Sequence, residues 1–280
     1  SLMYSLLIDT YVSNPEEKDE CFHAIDDFWD IDELLNQPIT SQLEQLQADC
    51  IIHVFPNKKL AFLAKKAKIP IRIGTSHRVF HLFTCNSRPR FSRKRSALHE
   101  AQLNFKLLAP LDVKVDLSLN EIVPFLALSV RTELPTAISQ LIGSNKTKVI
   151  LHPKSQGSAV EWGVEHFASL AALLIENGYE VIVTGTAKEK EMIADSTLFK
   201  VKGIVDLTAK LSLEELMALI AFCDVLVAAS TGPLHIASAM NKKAIGLYSE
   251  RRPIHPGRWM PIGVNATYLS KSREGASDRE

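Results

Sequence analysis

Short runs rich in Val, Ile and Leu recur through the second half of the chain, separated by longer segments whose apolar residues return every three or four positions. The runs at 147–152, 179–184, 203–208, 224–229 and 243–248 predict strands. Between the first two, 164–177 predicts a helix, with Phe167, Leu170, Ala171 and Leu174 on one face and Gly178 placed to end it. Residues 188–195 predict a second helix, and Ser212-Leu213-Glu214-Glu215 has the capping-box spacing that opens a third. Ser230-Thr231-Gly232 predicts a turn, with Pro233 at the first helical position, where a missing N–H is tolerated. Strands and helices alternating at this spacing predict a doubly wound parallel sheet.

The first half repeats the theme, with strands expected at 4–9, 49–54 and 69–74 and a helix at 57–68. Pro110, Pro124 and Pro135 interrupt the stretch from 110 to 146, and a linker is expected near its end. The expected domains are therefore 1–143 and 144–280, a division that suits a chain of 280 residues. No short-period repeat or low-complexity segment is evident.

Charge and cysteine usage narrow the class. Lys plus Arg and Asp plus Glu both number 32, so net charge gives no pull toward nucleic acid. No apolar run approaches the roughly 20 residues of a membrane-spanning helix. Cys21, Cys50, Cys85 and Cys223 are scattered without a Cys-x-x-Cys pair, which argues against a zinc knuckle and a disulfide framework. With no basic and then apolar opening segment, a cytoplasmic protein is expected.

Local basic character is another matter, because Arg78, Arg88, Arg90, Arg93, Lys94 and Arg95 are interleaved with Phe80, Phe83 and Phe91 and no acid lies between His77 and His99. Segment 78–95 suits an anionic lipid headgroup or a phosphorylated glycolipid; a solvated loop is the plain alternative. The stretch from Arg251 to Trp259 carries further cations and an aromatic, either framing a ligand or forming a proline-stiffened loop.

Two loops have the composition for anion binding. Ser230-Thr231-Gly232-Pro233-Leu234-His235 follows a buried strand and opens a helix, whose first N–H groups and dipole favour phosphate. Thr231 adds a hydroxyl, Gly232 permits close approach, and His235 lies one turn inside; an ordinary turn with a locally packed His is the alternative. His152-Pro153-Lys154-Ser155-Gln156-Gly157-Ser158 also joins a strand to a helix, but it matches no Walker pattern, and no Gly-x-Gly-x-x-Gly occurs in the chain. Alone it is equally well read as a solvated turn. Both loops fall at the carboxyl ends of strands of one expected sheet, where open α/β folds bind ligands.

In this order the motifs resemble glycosyltransferase family nine, whose members include the ADP-heptose lipopolysaccharide heptosyltransferases. The resemblance rests on the His152-Pro153 loop with Trp162, the 179–185 strand, the Leu211-Ser212-Leu213-Glu214-Glu215-Leu216 helix start, the Ser230 to His235 motif and Gly246-Leu247-Tyr248. Residues 49–74 and His99-Glu100 are similar to first-domain segments. The resemblance implies a GT-B fold, two Rossmann-like doubly wound α/β domains facing a cleft, with no metal and no cofactor. It implies an inverting transfer from a nucleotide-sugar donor, ADP-heptose or similar, to a lipopolysaccharide or envelope glycan acceptor at the cytoplasmic side of the inner membrane, with peripheral contact through 78–95. Ser230, Thr231, Gly232 and His235 would then hold the donor, with Lys154 and Ser155 beside them, Glu189 near the ribose and Leu211 near the base.

The chain departs from the family pattern at several points. Val160-Glu161 precedes Trp162 where a basic residue is usual, and Ser230 stands where an acid is often found. The family's opening strand and Ser-Leu-Gly-Asp type loop, which carries the proposed base, have no counterpart, so 4–9 is expected to be the family's second strand. Asp9 is left as a strand-end carboxylate. A catalytically degenerate nucleotide-sugar-binding module is therefore the second reading, and a sugar-nucleotide epimerase, by analogy of fold alone, the third.

Overall fold

The computed structural model describes residues 47–93, 96–126, 128–130, 132–143, 145–155, 157, 159–250 and 255–271. The chain divides into two compact units, Ser1–Phe125 and Leu126–Glu280.

In the first unit, β1 (Cys50–Ile52), α1 (Lys58–Lys66) and β2 (Ile71–Ile73) form a parallel βαβ, with Cys50 opposite Ile71 and Ile52 opposite Ile73. The side chain of Asn57 caps α1 by accepting from the Leu60 N–H at 3.0 Å, and Lys65 and Lys66 in the last turn complement the helix dipole. Ala64 on α1 packs with Ile51 and Ile69 as a small core. Three short helices follow: α2 (Val79–Thr84), α3 (Glu100–Phe105) and α4 (Leu119–Ile122). His99 and Ser118 cap the last two, each completing a capping box. The strands and helix expected between 49 and 74 are present, and the expected strand at 4–9 lies outside the described residues.

The second unit is a six-stranded parallel sheet with helices on both faces. Its strands are β3 (Lys148–His152), β4 (Glu180–Val183), β5 (Ile204–Asp206), β6 (Val225–Ala229), β7 (Lys243–Ser249) and β8 (Ala266–Lys271), in the order β5-β4-β3-β6-β7-β8. Its helices are α5 (Thr136–Leu141), α6 (Val164–Glu176), α7 (Ala187–Ile193), α8 (Leu213–Phe222), α9 (Gly232–Ala239) and α10 (Pro256–Trp259). Successive strand residues point to opposite faces, and β3 is buried along its whole length. Val149 and Leu151 join Phe167 and Ala171 of α6 in one core, while Ile150 joins Leu219, Ile220, Leu234 and Ala237 of α8 and α9 in the other. Burial on both faces is why these strands read as unbroken apolar runs.

Several features differ from the expectation, among them the short helices α5 and α10, which the sequence pattern does not mark. β8 was not foreseen; it is the outer strand of the sheet, with Tyr268 and Leu269 exposed, and Ala266-Thr267-Tyr268-Leu269 carries no continuous apolar run. The stretch expected to hold the linker packs on the second core instead, through Leu128, Leu134, Ile138 and Ile142, and the Leu128 N–H donates to the Ala239 carbonyl at 3.2 Å. α9 also begins at Gly232, which places Pro233 second in the helix rather than first.

Gly246 of β7 holds α9 close to the sheet. A Cβ there would lie 2.5 Å from Tyr248 Cε2, 3.1 Å from Leu234 Cδ2 and 3.2 Å from Pro261 Cδ. Gly246→Ala is expected to destabilise the second unit by about 1–3 kcal/mol through overpacking, read as a lower urea midpoint with an unchanged slope.

Candidate functional site

β3 and β6 are hydrogen-bonded neighbours, with His152 opposite Ala228, yet the chain leaves them toward opposite edges: β3 leads to β4 and β5, β6 to β7 and β8. The loops after them therefore diverge, and the crevice between such loops is where doubly wound sheets bind ligands. The sheet order brings the two loops singled out by sequence to adjacent strand ends.

On the β6 side, Thr231 is the N-cap of α9, with extended backbone and no side-chain capping bond. Its Oγ1 is buried and has no hydrogen-bond partner. The first turn of any helix presents N–H groups with no intrahelical acceptor, backed by the positive end of the dipole. Gly232 and Pro233 form that turn, and His235 follows half-buried, its backbone N–H donating to the Thr231 carbonyl at 3.4 Å. Ser230 is hydrogen-bonded to the Tyr248 hydroxyl, which in turn donates to the Trp259 carbonyl. Burial pushes the Tyr248 phenol up to about 12, so it stays protonated and ties the turn to β7 and α10.

On the β3 side, the loop is closed by one of its own carboxylates. Glu161 is paired with the Lys154 ammonium, and its Oε1 accepts from the Ser155 N–H at 3.0 Å and the Ser155 hydroxyl at 3.1 Å. Burial alone would raise the Glu161 carboxyl, but Lys154 and the two Ser155 donors outweigh it and hold the group below the usual range. Trp162 anchors the end of the loop, with ring centroids 5.1 Å from His166 and 5.3 Å from Phe167.

Beneath the crevice, His152 is buried with Nδ1 3.0 Å from Thr184 Oγ1 and Nε2 3.7 Å from Glu189 Oε2. Desolvation lowers the His152 pKa, with Glu189 opposing the shift. Glu189 is itself buried and completes the α7 capping box by accepting from the Thr186 N–H at 2.7 Å. Of the expected site residues, Ser230, Thr231, Gly232 and His235 flank one side of the switch point and Lys154 and Ser155 the other. Glu189 lies on the β4 side, its carboxylate engaged by helix cap and histidine, and Leu211 packs half-buried on the α8 core after edge strand β5.

The basic segment of the first unit is divided in role. Val79, Leu82 and Phe83 of α2 are exposed, as are Arg78 and Arg90. Arg88 is exposed as well but donates to the Cys85 carbonyl at 2.7 Å, and Arg93 pairs with Glu100 and donates to Asn104 at 2.9 Å. Lys94 and Arg95 lie outside the described residues, as do Asp9 and residues 251–254. Among the described residues no group of three or more His, Cys, Asp or Glu is placed to hold a metal ion, and no helix is long and apolar enough to cross a membrane.

Sequence reasoning did not assign roles to Thr184 or Tyr248 and treated Glu161 only as a departure from a pattern. The spacing of Lys154 and Glu161, seven residues apart in a loop, carries no periodic signal; only loop closure pairs them.

Comparison with known proteins bears on the family and the fold. The family described as glycosyltransferase family 9 (heptosyltransferase) matches residues 38–280. The chain is 29% identical over 240 residues to a Haemophilus influenzae protein described as a glycosyltransferase, covering 80% of this chain and 66% of that protein. It is 35% identical over 117 residues to the lipooligosaccharide heptosyltransferase 2 of the same organism, covering 40% of this chain and 33% of that protein. The chain thus spans less than two thirds of either relative's own length. In structure it is similar to Escherichia coli ADP-heptose lipopolysaccharide heptosyltransferase II, with a TM-score of 0.63, 22% identity, and coverage of 82% of this chain and 71% of that one. At that identity the likeness is one of fold, and the fold is of the GT-B type.

His152 gives the second unit a defined pH response. Its depressed pKa means that below the ordinary histidine value of about 6.5 the unfolded chain binds a proton that the folded unit refuses, so stability falls as pH falls. His53 and His81 in the first unit, with ring centroids 5.3 Å apart, act in the same direction, with burial pushing His53 down to about 4. Urea unfolding between pH 7.5 and 5 is expected to show stability decreasing by up to about 1.4 kcal/mol per pH unit per histidine, and His152→Gln is expected to remove one group's share. A flat profile would contradict the buried neutral histidine.

Proposed function

Because the chain belongs to glycosyltransferase family 9, we propose that its second unit binds a nucleoside diphosphate sugar at the β3–β6 switch point, and that the protein transfers the sugar with inversion to an envelope glycan acceptor. The observation that carries this reading is the buried, unpartnered hydroxyl of Thr231 at the N-cap of α9. An unsatisfied buried hydroxyl costs about 1–3 kcal/mol, a cost that a ligand phosphate accepting its hydrogen bond would offset. The N–H groups and dipole of α9 supply the remaining donors.

Those groups also suit the reaction step. As the bond from the anomeric carbon to the diphosphate breaks, negative charge grows on the departing phosphate oxygen, and preorganised donors stabilise it there. His235, one turn into α9, stands beside that charge. Ser230, tied to Tyr248, presents a hydroxyl where an acid is often found in the family, so hexose as well as heptose donors belong in the assays. The name of the Escherichia coli neighbour specifies ADP-heptose and lipopolysaccharide, which supports ADP-heptose or a close analogue as donor and a lipopolysaccharide core as acceptor. The reading involves no metal and no cofactor.

The acceptor falls to the first unit. Exposed Val79, Leu82 and Phe83 on α2, with Arg78 and Arg90, support peripheral contact with an anionic membrane surface on its cytoplasmic side.

Calorimetry and thermal shift with ADP, UDP, GDP and their sugar conjugates, followed by hydrolysis and transfer assays, test the donor site. Saturable binding with turnover is expected. Binding without turnover would favour a nucleotide-sugar-binding module that has lost catalysis, and no binding would overturn both readings. Thr231→Val is expected to weaken nucleotide binding by about 1 kcal/mol, roughly fivefold, with the melting temperature unchanged or raised. His235→Ala is expected to weaken binding with the fold intact; unchanged affinity in both variants would remove α9 from the site. Sedimentation with vesicles should show binding to anionic but not zwitterionic lipid, diminished in Leu82→Glu and Phe83→Glu, and equal binding of these variants would place membrane contact elsewhere.

A further inference from the structure

We infer that Glu161 is a built-in competitor for the donor diphosphate: it occupies the cation and donors of the β3 loop in the free protein and is displaced when the diphosphate binds. The inference rests on the donor-site reading above and concerns how tightly that site binds. Lys154 Nζ, the Ser155 N–H and the Ser155 hydroxyl converge on one carboxylate, using both of its oxygens. An ammonium, a backbone N–H and a hydroxyl are the groups a phosphate recruits. The arrangement is not a loose surface pair, because the side chains of Lys154 and Glu161 are only 15% and 24% exposed and Ser155 is buried. The Ser155 hydroxyl also lies 3.2 Å from the Ala159 carbonyl.

This closure changes the role expected of Lys154 and Ser155. With Glu161 in place the loop offers the crevice no net positive charge, and α9 alone attracts the ligand. A diphosphate seated on the α9 N-terminus carries more negative charge than a carboxylate and approaches Lys154 from across the switch point. It can take over the ammonium and the Ser155 donors, but only by releasing Glu161, whose charge then lies next to the phosphates. Glu161 therefore lowers affinity for the donor and for the nucleoside diphosphate product alike, and so favours product release. Lys154 reaches the phosphates only in the bound state.

The test is calorimetric binding of ADP, of inorganic pyrophosphate and of adenosine to the full chain and three variants. Glu161→Gln, which keeps the shape and the Ser155 acceptor but removes the charge, is expected to bind ADP and pyrophosphate about tenfold more tightly and adenosine no differently. Lys154→Met leaves Glu161 uncompensated and is expected to bind both phosphates more weakly than the parent. The double variant is expected to recover most of that loss. Unchanged or weaker ADP binding by Glu161→Gln at an unaltered melting temperature would overturn the inference while leaving the donor site standing. If Glu161→Gln lowers the melting temperature, the double variant decides, because failure to recover binding relative to Lys154→Met would likewise overturn it. Absence of ADP binding by every form, the parent included, would overturn the donor site and this inference with it.

Discussion

Parallel pairing of β3 with β6 is the constraint on which the second unit depends. Four registered pairs, from Val149 opposite Val225 to His152 opposite Ala228, join strands that lie more than seventy residues apart in sequence. Their entry is fixed at the other end, where the Asp224 carboxylate accepts from the Lys148 N–H at 2.7 Å and the Asp224 N–H donates to the Lys148 carbonyl at 3.1 Å. Once β6 pairs on the free side of β3, the succeeding strands must build outward from it, because β4 already fills the other edge. The crevice at the carboxyl ends is the geometric consequence of that reversal, and both cores follow from it, since each strand must then be covered on two faces.

Around this crevice the polar groups are satisfied to different degrees, and the difference separates scaffold from site. His152, Thr184 and Glu189 complete one another beneath the strand ends, and Glu189 caps α7 as well. Lys154, Ser155 and Glu161 complete one another in the β3 loop. Thr231 is buried and incomplete. A buried unmade hydrogen bond is costly in a stable fold unless something outside the chain makes it, which is why the Thr231 hydroxyl carries the proposed ligand site. In the loop opposite, Lys154 and Ser155 are engaged by Glu161, the group proposed to exchange with an incoming anion.

The first unit shows a different balance. Its βαβ core is small, and α2 turns Val79, Leu82 and Phe83 outward while His81 on the same helix is buried against His53. Arg88 and Arg93 brace the backbone and α3 rather than extend the basic face. A run of like charges in the sequence thus includes members engaged within the fold, Arg88 by the Cys85 carbonyl at the end of α2 and Arg93 by the Glu100 carboxylate.

By itself the sequence determined the class of fold, the strands β3 to β7 of the second unit and its helices α6 to α9, since those depend on local periodicity, on the Ser212 capping box and on the Gly232-Pro233 turn into α9. It also located the two loops that flank the crevice and, through their order, the family. It did not determine β8, an outer strand exposed enough to need no apolar run. Nor did it determine which loop groups are engaged. Lys154 read as a cation for the diphosphate and tertiary closure pairs it with Glu161; Glu189 was expected near the ribose, and the structure adds His152 and the α7 cap as its partners. Thr231 read as one hydroxyl among several, and only the packed structure left it buried without a partner. Periodicity records which residues face a core, whereas the partner of a polar side chain depends on strand order and loop closure, which join residues that local pattern does not relate.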